Sequence, residues 1–231
     1  SLAGLFVAAL AAGLLAWVMA GAILKLKGHY LAMATLGLGI LVSIVITNEA
    51  RWTGGPDGMP VESFSVLGYR LSGERRWYWL FSGLLLAAIA MARNLIDSPA
   101  GRALQAIHGS EVAARGAGID TAAYKTRVFV LSAVVASLMG SLTAHYIGFI
   151  TPSLAGFHQS IELVTMVVVG GMASIWGSVV GAALLSLLPQ LLAANEGWET
   201  VVFGLILVGA MIFLPRGIVP TLLSRFGRKG G

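Results

Sequence analysis

Residues 93–127 gather five basic side chains, Arg93, Arg102, Arg115, Lys125 and Arg127, and three acids, Asp97, Glu111 and Asp120. At the heart of this set lies SPAGRALQAIHGSEVAARGAGID, residues 98–120. Mixed charges beside scattered leucine, isoleucine and valine suit helix capping, ion pairing and docking of one surface on another. They do not suit bond-making chemistry. The apolar runs elsewhere hold no Ser/His pair, paired carboxylates or metal-ligand spacing, and no histidine stands in H-x-x-x-H register. The chain has no cysteine, which excludes disulfides and thiolate metal sites and leaves the redox compartment open. It also lacks G-x-x-x-x-G-K-[ST], so it cannot hold a nucleoside triphosphate by a P-loop.

Local signals divide the charged stretch into two short helices. Ser98 is a candidate N-cap with Pro99 in the first turn, Leu104 and Ile107 fall three apart on one face, and Gly109 ends the first helix. Ser110 then caps a second helix, about Glu111–Gly116, with Glu111 at its positive end. Two readings are open at this point: an amphipathic loop lying on lipid, or an element that presses into a groove on another protein.

The elements that position this stretch are apolar. Of 231 residues, 57% are hydrophobic and 11% charged, where a soluble domain carries about 25% charged. Formal charge is absent from residues 1–24, 77–92, 128–161, 163–195 and 200–215, and from 28–48 apart from the titratable His29. Lipid offers the backbone no partner, so such runs must be helices, and the expected fold class is an all-α, polytopic transmembrane bundle. Expected helices are Leu2–Leu24, Tyr30–Thr47, Trp77–Ala92, Val128–Ile150 and, last, Trp198–Leu214. The net charge of +5 follows from basic residues on cytoplasmic loops and implies no nucleic acid. Lys25 and Lys27, residues 93–127 and the basic tail (Arg216, Arg225, Arg228, Lys229) are then cytoplasmic, and the charge-balanced loop 48–76 external. Residues 1–24 have neither a starting Met nor a basic n-region, so they are not read as a signal peptide, and a longer N-terminus is expected. The whole chain is expected to form one transmembrane domain.

For the tail to finish inside, the run from Ile161 must double back. MVVVGGMASIWGSVVGA offers the place: Ile161–Gly170 enters, the chain turns over Gly171–Ser174, and Ile175–Ala193 returns. Gly177 and Gly181, with Ala173 before them, form a small-residue packing face. The break at Gly170, Gly171 and Ser174 is read two ways, as the border of a transport path or as a tight helix hairpin. Elsewhere the bland readings lead. TGGPDGM (53–59) is first a turn, Glu162 a favourable charge at a helix start, and His145 a hydrogen-bonding partner for a neighbouring helix.

The same residues carry a resemblance. SPAGRALQAIHGSEVAARGAGID followed by YKTRVFVLSAVVASLMGSLTA resembles the permease subunits of branched-chain amino acid ABC importers, the M-type permeases of the Liv system most closely. GHYLAMATLGLGILV, TGGPDG, MVVVGGMASIWGSVVGA and LPRGIV resemble that family in the same order along nearly the whole chain. The resemblance implies a cytoplasmic EAA-type loop that docks on an ATPase, with Arg102, Leu104, Ile107, Glu111, Ala113, Ala114 and Gly118 as the coupling residues. Glu111, Ala113, Ala114 and Gly118 match as E-x-A-A-x-x-x-G, one residue off E-A-A spacing, and the later I-x-L-P element is absent. It further implies two ABC ATPase subunits carrying ATP and Mg, a second permease subunit and an external substrate-binding protein, with no cofactor on this chain. It also implies that TGGPDG lies on a periplasmic loop near the translocation entrance or the binding-protein contact. The rival is an ATP-independent secondary transporter or channel, which calls for titratable residues at mid-membrane; the spans here have almost none.

Overall fold

Runs of apolar residues without polar partners close their own hydrogen bonds, and the chain is accordingly helical. The computed structural model describes residues 2–24, 29–66, 69–70, 73–172 and 174–192, with single positions 205 and 209. In chain order these form α1 (Leu2–Ile23), α2 (His29–Asn48), α3 (Ala50–Thr53), β1 (Met59–Pro60), β2 (Ser65–Val66), β3 (Tyr69–Arg70) and α4 (Glu74–Asp97). There follow α5 (Pro99–Gly109), α6 (Glu111–Gly116), α7 (Thr121–Ile147), β4 (Phe149–Ile150), α8 (Phe157–Gly170) and α9 (Ile175–Leu192). Among the described residues, Ala3–Gly21, Glu74–Asp97 and Thr121–Ile147 are long and apolar enough to cross a membrane, and shorter apolar helices lie in α2, α8 and α9. The strands are two-residue ladders, so the architecture is all-α as expected. Lys25, Lys27, Ala173, the expected last helix apart from positions 205 and 209, and the basic tail lie outside the described residues.

The chain divides into two compact units, 1–156 and 157–231. In the first, α1 packs along α7. Among the described side chains of α1, Ala9, Gly13, Ala16, Ala20 and Ile23 are buried, whereas Phe6, Leu10, Leu14 and Trp17 face outward. Hydrophobicity is uniform around this helix, so residue size selects the buried face. A Cβ on Gly13 would stand 3.0 Å from Val134 Cγ2. Water would penalise so large an exposed apolar surface, but lipid does not.

The loop between α2 and α4 folds back over the C-terminal end of α7. β1 pairs antiparallel with β4, Met59 opposite Ile150 and Pro60 opposite Phe149, and Val61 N–H donates to the Gly148 carbonyl at 2.9 Å. Thr53–Met59 is a turn, as expected: Gly55–Asp57 makes one 3-10 turn, closed by Gly58 N–H on the Gly55 carbonyl at 3.2 Å. Gly58 has φ +73°, and a Cβ there would meet the Ile150 carbonyl at 2.2 Å. Phe64 inserts beside Trp77, with ring centroids 6.0 Å apart, and both are buried with Leu142. Trp77 in turn contacts Phe81 and Tyr146, each at 5.6 Å. Residues 48–66 and segment 98–120 therefore stand at opposite ends of α4 and α7, as the alternation of spans requires.

Several boundaries differ from expectation. The third helix covers Glu74–Asp97 rather than Trp77–Ala92, and the fourth starts at Thr121 rather than Val128. Charges at the ends of a spanning helix extend into the polar interface and do not terminate it. Asp120 caps the fourth helix by accepting from Ala123 N–H at 3.1 Å, and Gly148, at φ +76°, ends it three residues before Ile150 is passed. α8 begins at Phe157, which puts Glu162 in its second turn instead of at its start.

Candidate functional site

α4 gives way to α5 at Ser98. The Ser98 hydroxyl donates to the Leu95 carbonyl at 2.6 Å and accepts from Gly101 N–H at 3.1 Å, ending one helix and capping the next. A Cβ on Gly101 would lie 2.2 Å from the Ile96 carbonyl and 2.3 Å from that of Leu95, so the corner requires glycine. Arg102 reaches back to the Asp97 carbonyl at 3.1 Å. α5 ends at Gly109 and Ser110 caps α6, its hydroxyl accepting from Ala113 N–H at 3.2 Å. Both helices have the expected bounds.

α6 ends in a Schellman arrangement. Ile119 N–H donates to the Ala114 carbonyl and Gly118 N–H to that of Arg115, both at 3.0 Å, with Gly118 at φ +81°. Gly118 thus sets the path of the chain. Four residues, Ala117–Asp120, separate α6 from α7, yet side chains bridge the gap. Glu111 Oε2 accepts from Lys125 Nζ at 2.6 Å. Its Oε1 accepts from Arg115 Nη2 and from the Thr121 hydroxyl at 3.4 Å, while that hydroxyl accepts from Arg115 Nε at 2.9 Å. Thr121 is buried. The hydrogen bond from Lys125, together with the positive charges of Lys125 and Arg115, holds the Glu111 carboxyl below its ordinary value despite some desolvation.

The residues expected at a partner contact thus separate by environment. Arg102, Ala113 and Gly118 are exposed, Leu104 and Ile107 half-buried, and Ala114 buried. Glu111 faces its own chain. Sequence reading missed Val112, the most exposed apolar side chain here at 81%, although it is the one large apolar residue of the short helix EVAARG. It also missed Lys125 and Thr121, which join Glu111 only through folding.

In the second unit, α8 and α9 meet through glycine backbones. A Cβ on Gly170 would fall 1.9 Å from the Gly177 carbonyl oxygen, and one on Gly181 would fall 2.1 Å from that of Met166. On Gly177 it would lie 2.6 Å from the Gly170 carbonyl oxygen. The chain reverses over Gly171–Ser174, where Gly171 has φ +125°, and the Ser174 hydroxyl accepts from Gly177 N–H at 3.0 Å to cap α9. Gly170, Gly171, Ser174, Gly177 and Gly181 therefore come together in one tight reversal. Thr165, buried beside it, satisfies its hydroxyl on the Ile161 carbonyl at 2.8 Å. His145 belongs elsewhere: its Nδ1 donates to Ser141 in its own helix at 2.7 Å, and its ring stands edge-on to Phe64 at 5.2 Å. The partner in a neighbouring helix expected for it is instead its own backbone, because Ser141 lies one turn earlier.

Comparison with known proteins places the chain among transport proteins. Residues 1–214 match the family described as branched-chain amino acid transport system / permease component. The chain is 30% identical to the high-affinity branched-chain amino acid transport system permease protein LivM of Salmonella typhimurium, over 90% of this chain and 55% of that protein. It is 28% identical to LivM of Escherichia coli K12, over 97% of this chain and 59% of the relative. It is also 31% identical to the autoinducer 2 import system permease protein LsrC of Escherichia coli, over 90% and 62%. The chain thus spans 55–62% of the length of these curated relatives. No solved structure matches it.

Proposed function

The chain belongs to the branched-chain amino acid transport permease family, and on that premise we propose that it is a pore-forming subunit of an ATP-binding cassette importer in the plasma (inner) membrane. Its cargo is leucine, isoleucine, valine or a related amphipathic amino acid. An apolar side chain with a zwitterionic head suits a path of apolar groups and helix-end dipoles. Two ATPase subunits hold ATP and Mg, a second permease subunit completes the path, and a soluble binding protein delivers the substrate. This chain carries no catalytic residue; its part is mechanical.

One observation carries the reading. Between two spanning helices the chain extends a pair of short, capped helices, α5 and α6, on which Arg102, Val112 and Ala113 are exposed. This is the form expected of an apolar knob with a charged rim that seats in a groove. Closure of the ATPases around ATP then displaces the spanning helices as rigid bodies. The lack of a P-loop fits a nucleotide held in trans.

Purification with the cognate ATPase subunits tests the proposal. Scrambling residues 104–118 abolishes co-purification and ATP-driven uptake; both surviving intact would refute it. Uptake of labelled leucine against labelled autoinducer 2, in vesicles loaded with ATP, decides between the cargoes named by the two groups of relatives.

A further inference from the structure

The Glu111 cluster was expected to face a partner, but its geometry assigns it another task. Glu111 opens α6 and Arg115 lies one turn on, while Thr121 opens α7 and Lys125 lies one turn on. Both turns of the short helix are therefore tied to the first two turns of the long one. A single tie would leave α6 free to pivot about the Gly118 turn. Two ties, one turn apart on each helix, remove that freedom.

We propose that Glu111, Lys125, Thr121 and Arg115 form a rigid joint that makes α6 and α7 move as one body, so that Glu111 is a positioning residue and not a contact to the ATPase. The proposal rests on the reading of α5–α6 as a docking element, and extends it by naming how displacement leaves that element. A helix of six residues is not stable alone, so a push on α6 reaches the membrane only through what fastens it. The tether Ala117–Asp120, with glycine at φ +81°, cannot transmit compression by itself. The ion pair can, because Lys125 Nζ and Glu111 Oε2 meet at 2.6 Å, both side chains being about one-third exposed or less, 33% and 28%. Thr121 supplies the dry side of the joint, its hydroxyl bonded to both α6 residues. Ala114, buried beside these groups, leaves Val112 and Ala113 as the outward surface. One helix thus has a fastening side and a docking side.

Two measurements on the full chain test this. Hydrogen exchange of the Val112–Ala117 amides in detergent is expected to quicken at least tenfold in E111Q and K125M, and to return towards wild type in K125R and in the swap E111K/K125E, with α5 unchanged. Reconstituted with the ATPases and binding protein, E111Q and K125M should retain the ATPases on co-purification yet transport about fivefold less substrate per ATP hydrolysed, and the swap should recover at least half of that loss. Unchanged exchange in both single variants would overturn the joint, as would a wild-type transport ratio in them. Loss of ATPase co-purification in E111Q alone would overturn it too, making Glu111 a partner contact. If the wild-type chain itself fails to retain ATPases, the docking reading falls, while hydrogen exchange still decides whether α6 and α7 are fastened.

Discussion

Replacing Gly181 with alanine sets two opposed effects against each other. Alanine in a helix interior is favoured over glycine by up to about 1 kcal/mol. The added Cβ, however, would lie 2.1 Å from the Met166 carbonyl oxygen and 2.8 Å from both N and Cα of Gly170. All three are backbone atoms of the facing helix, so no rotamer change relieves the clash. Restoring an ordinary contact of about 3.4 Å requires the helices to part by roughly 1.3 Å, which opens the glycine seam along its length. Overpacking of this kind costs about 3 kcal/mol or somewhat more, so the net loss is about 2 kcal/mol. In thermal unfolding of the detergent-purified chain this corresponds to a fall in Tm of roughly 4–8 °C. Gly140, in α7, has open space where its Cβ would go, so G140A isolates the propensity effect and is expected to match or slightly exceed wild type. The double variant G170A/G181A should lose less than the sum of its singles, since the first substitution has already parted the helices. A Tm for G181A at or above that of wild type would refute the close glycine contact between α8 and α9.

Val112→Ser should leave stability within about 0.5 kcal/mol of wild type, as for other exposed substitutions, while ATPase co-purification falls severalfold; undiminished capture would remove Val112 from the interface. Acid should release α6. Because the folded Glu111 carboxyl lies below its ordinary value of 4.5, its stabilisation is complete above that pH and is lost as pH falls through the folded value. Protection of the α6 amides, corrected for intrinsic exchange, is therefore expected to stay level from pH 8 to about pH 5 and to decline below the ordinary carboxylate range; a decline centred near neutrality would implicate another group.

Legibility in the sequence followed the range of the interaction. Ser98, Pro99, Gly109 and Ser110 act on neighbours within four residues, and α5 and α6 have the bounds those residues indicate. The reversal after Gly170 was equally local. The start of α7 was misplaced because Lys125 and Arg127 read as loop charges, although Asp120 was a legitimate cap in plain view. The buried stripe of α1 was hidden because every face of that helix is apolar and only side-chain size distinguishes one from another. The ladder between β1 and β4 has two residues per strand, too few for any periodicity. Glu111 and Lys125 stand fourteen residues apart, and no spacing rule joins such a pair. Gly118 was legible as a motif position, but its φ of +81° gives it a backbone role that a motif alone does not reveal.

The clasp of β1 on β4 gives α7 a mechanical character. With 27 residues, the helix is a strut about 40 Å long. Its far tip is moored by the ladder, the Gly58 turn and the rings around Trp77, while its near tip is where α6 is fastened. A strut moored at one tip and shoved at the other cannot slide along its axis; it leans. A displacement of about 2 Å at the end of a strut about 40 Å long leans it by roughly 3°, the movement being largest at the end fastened to α6 and vanishing at the end held by β1.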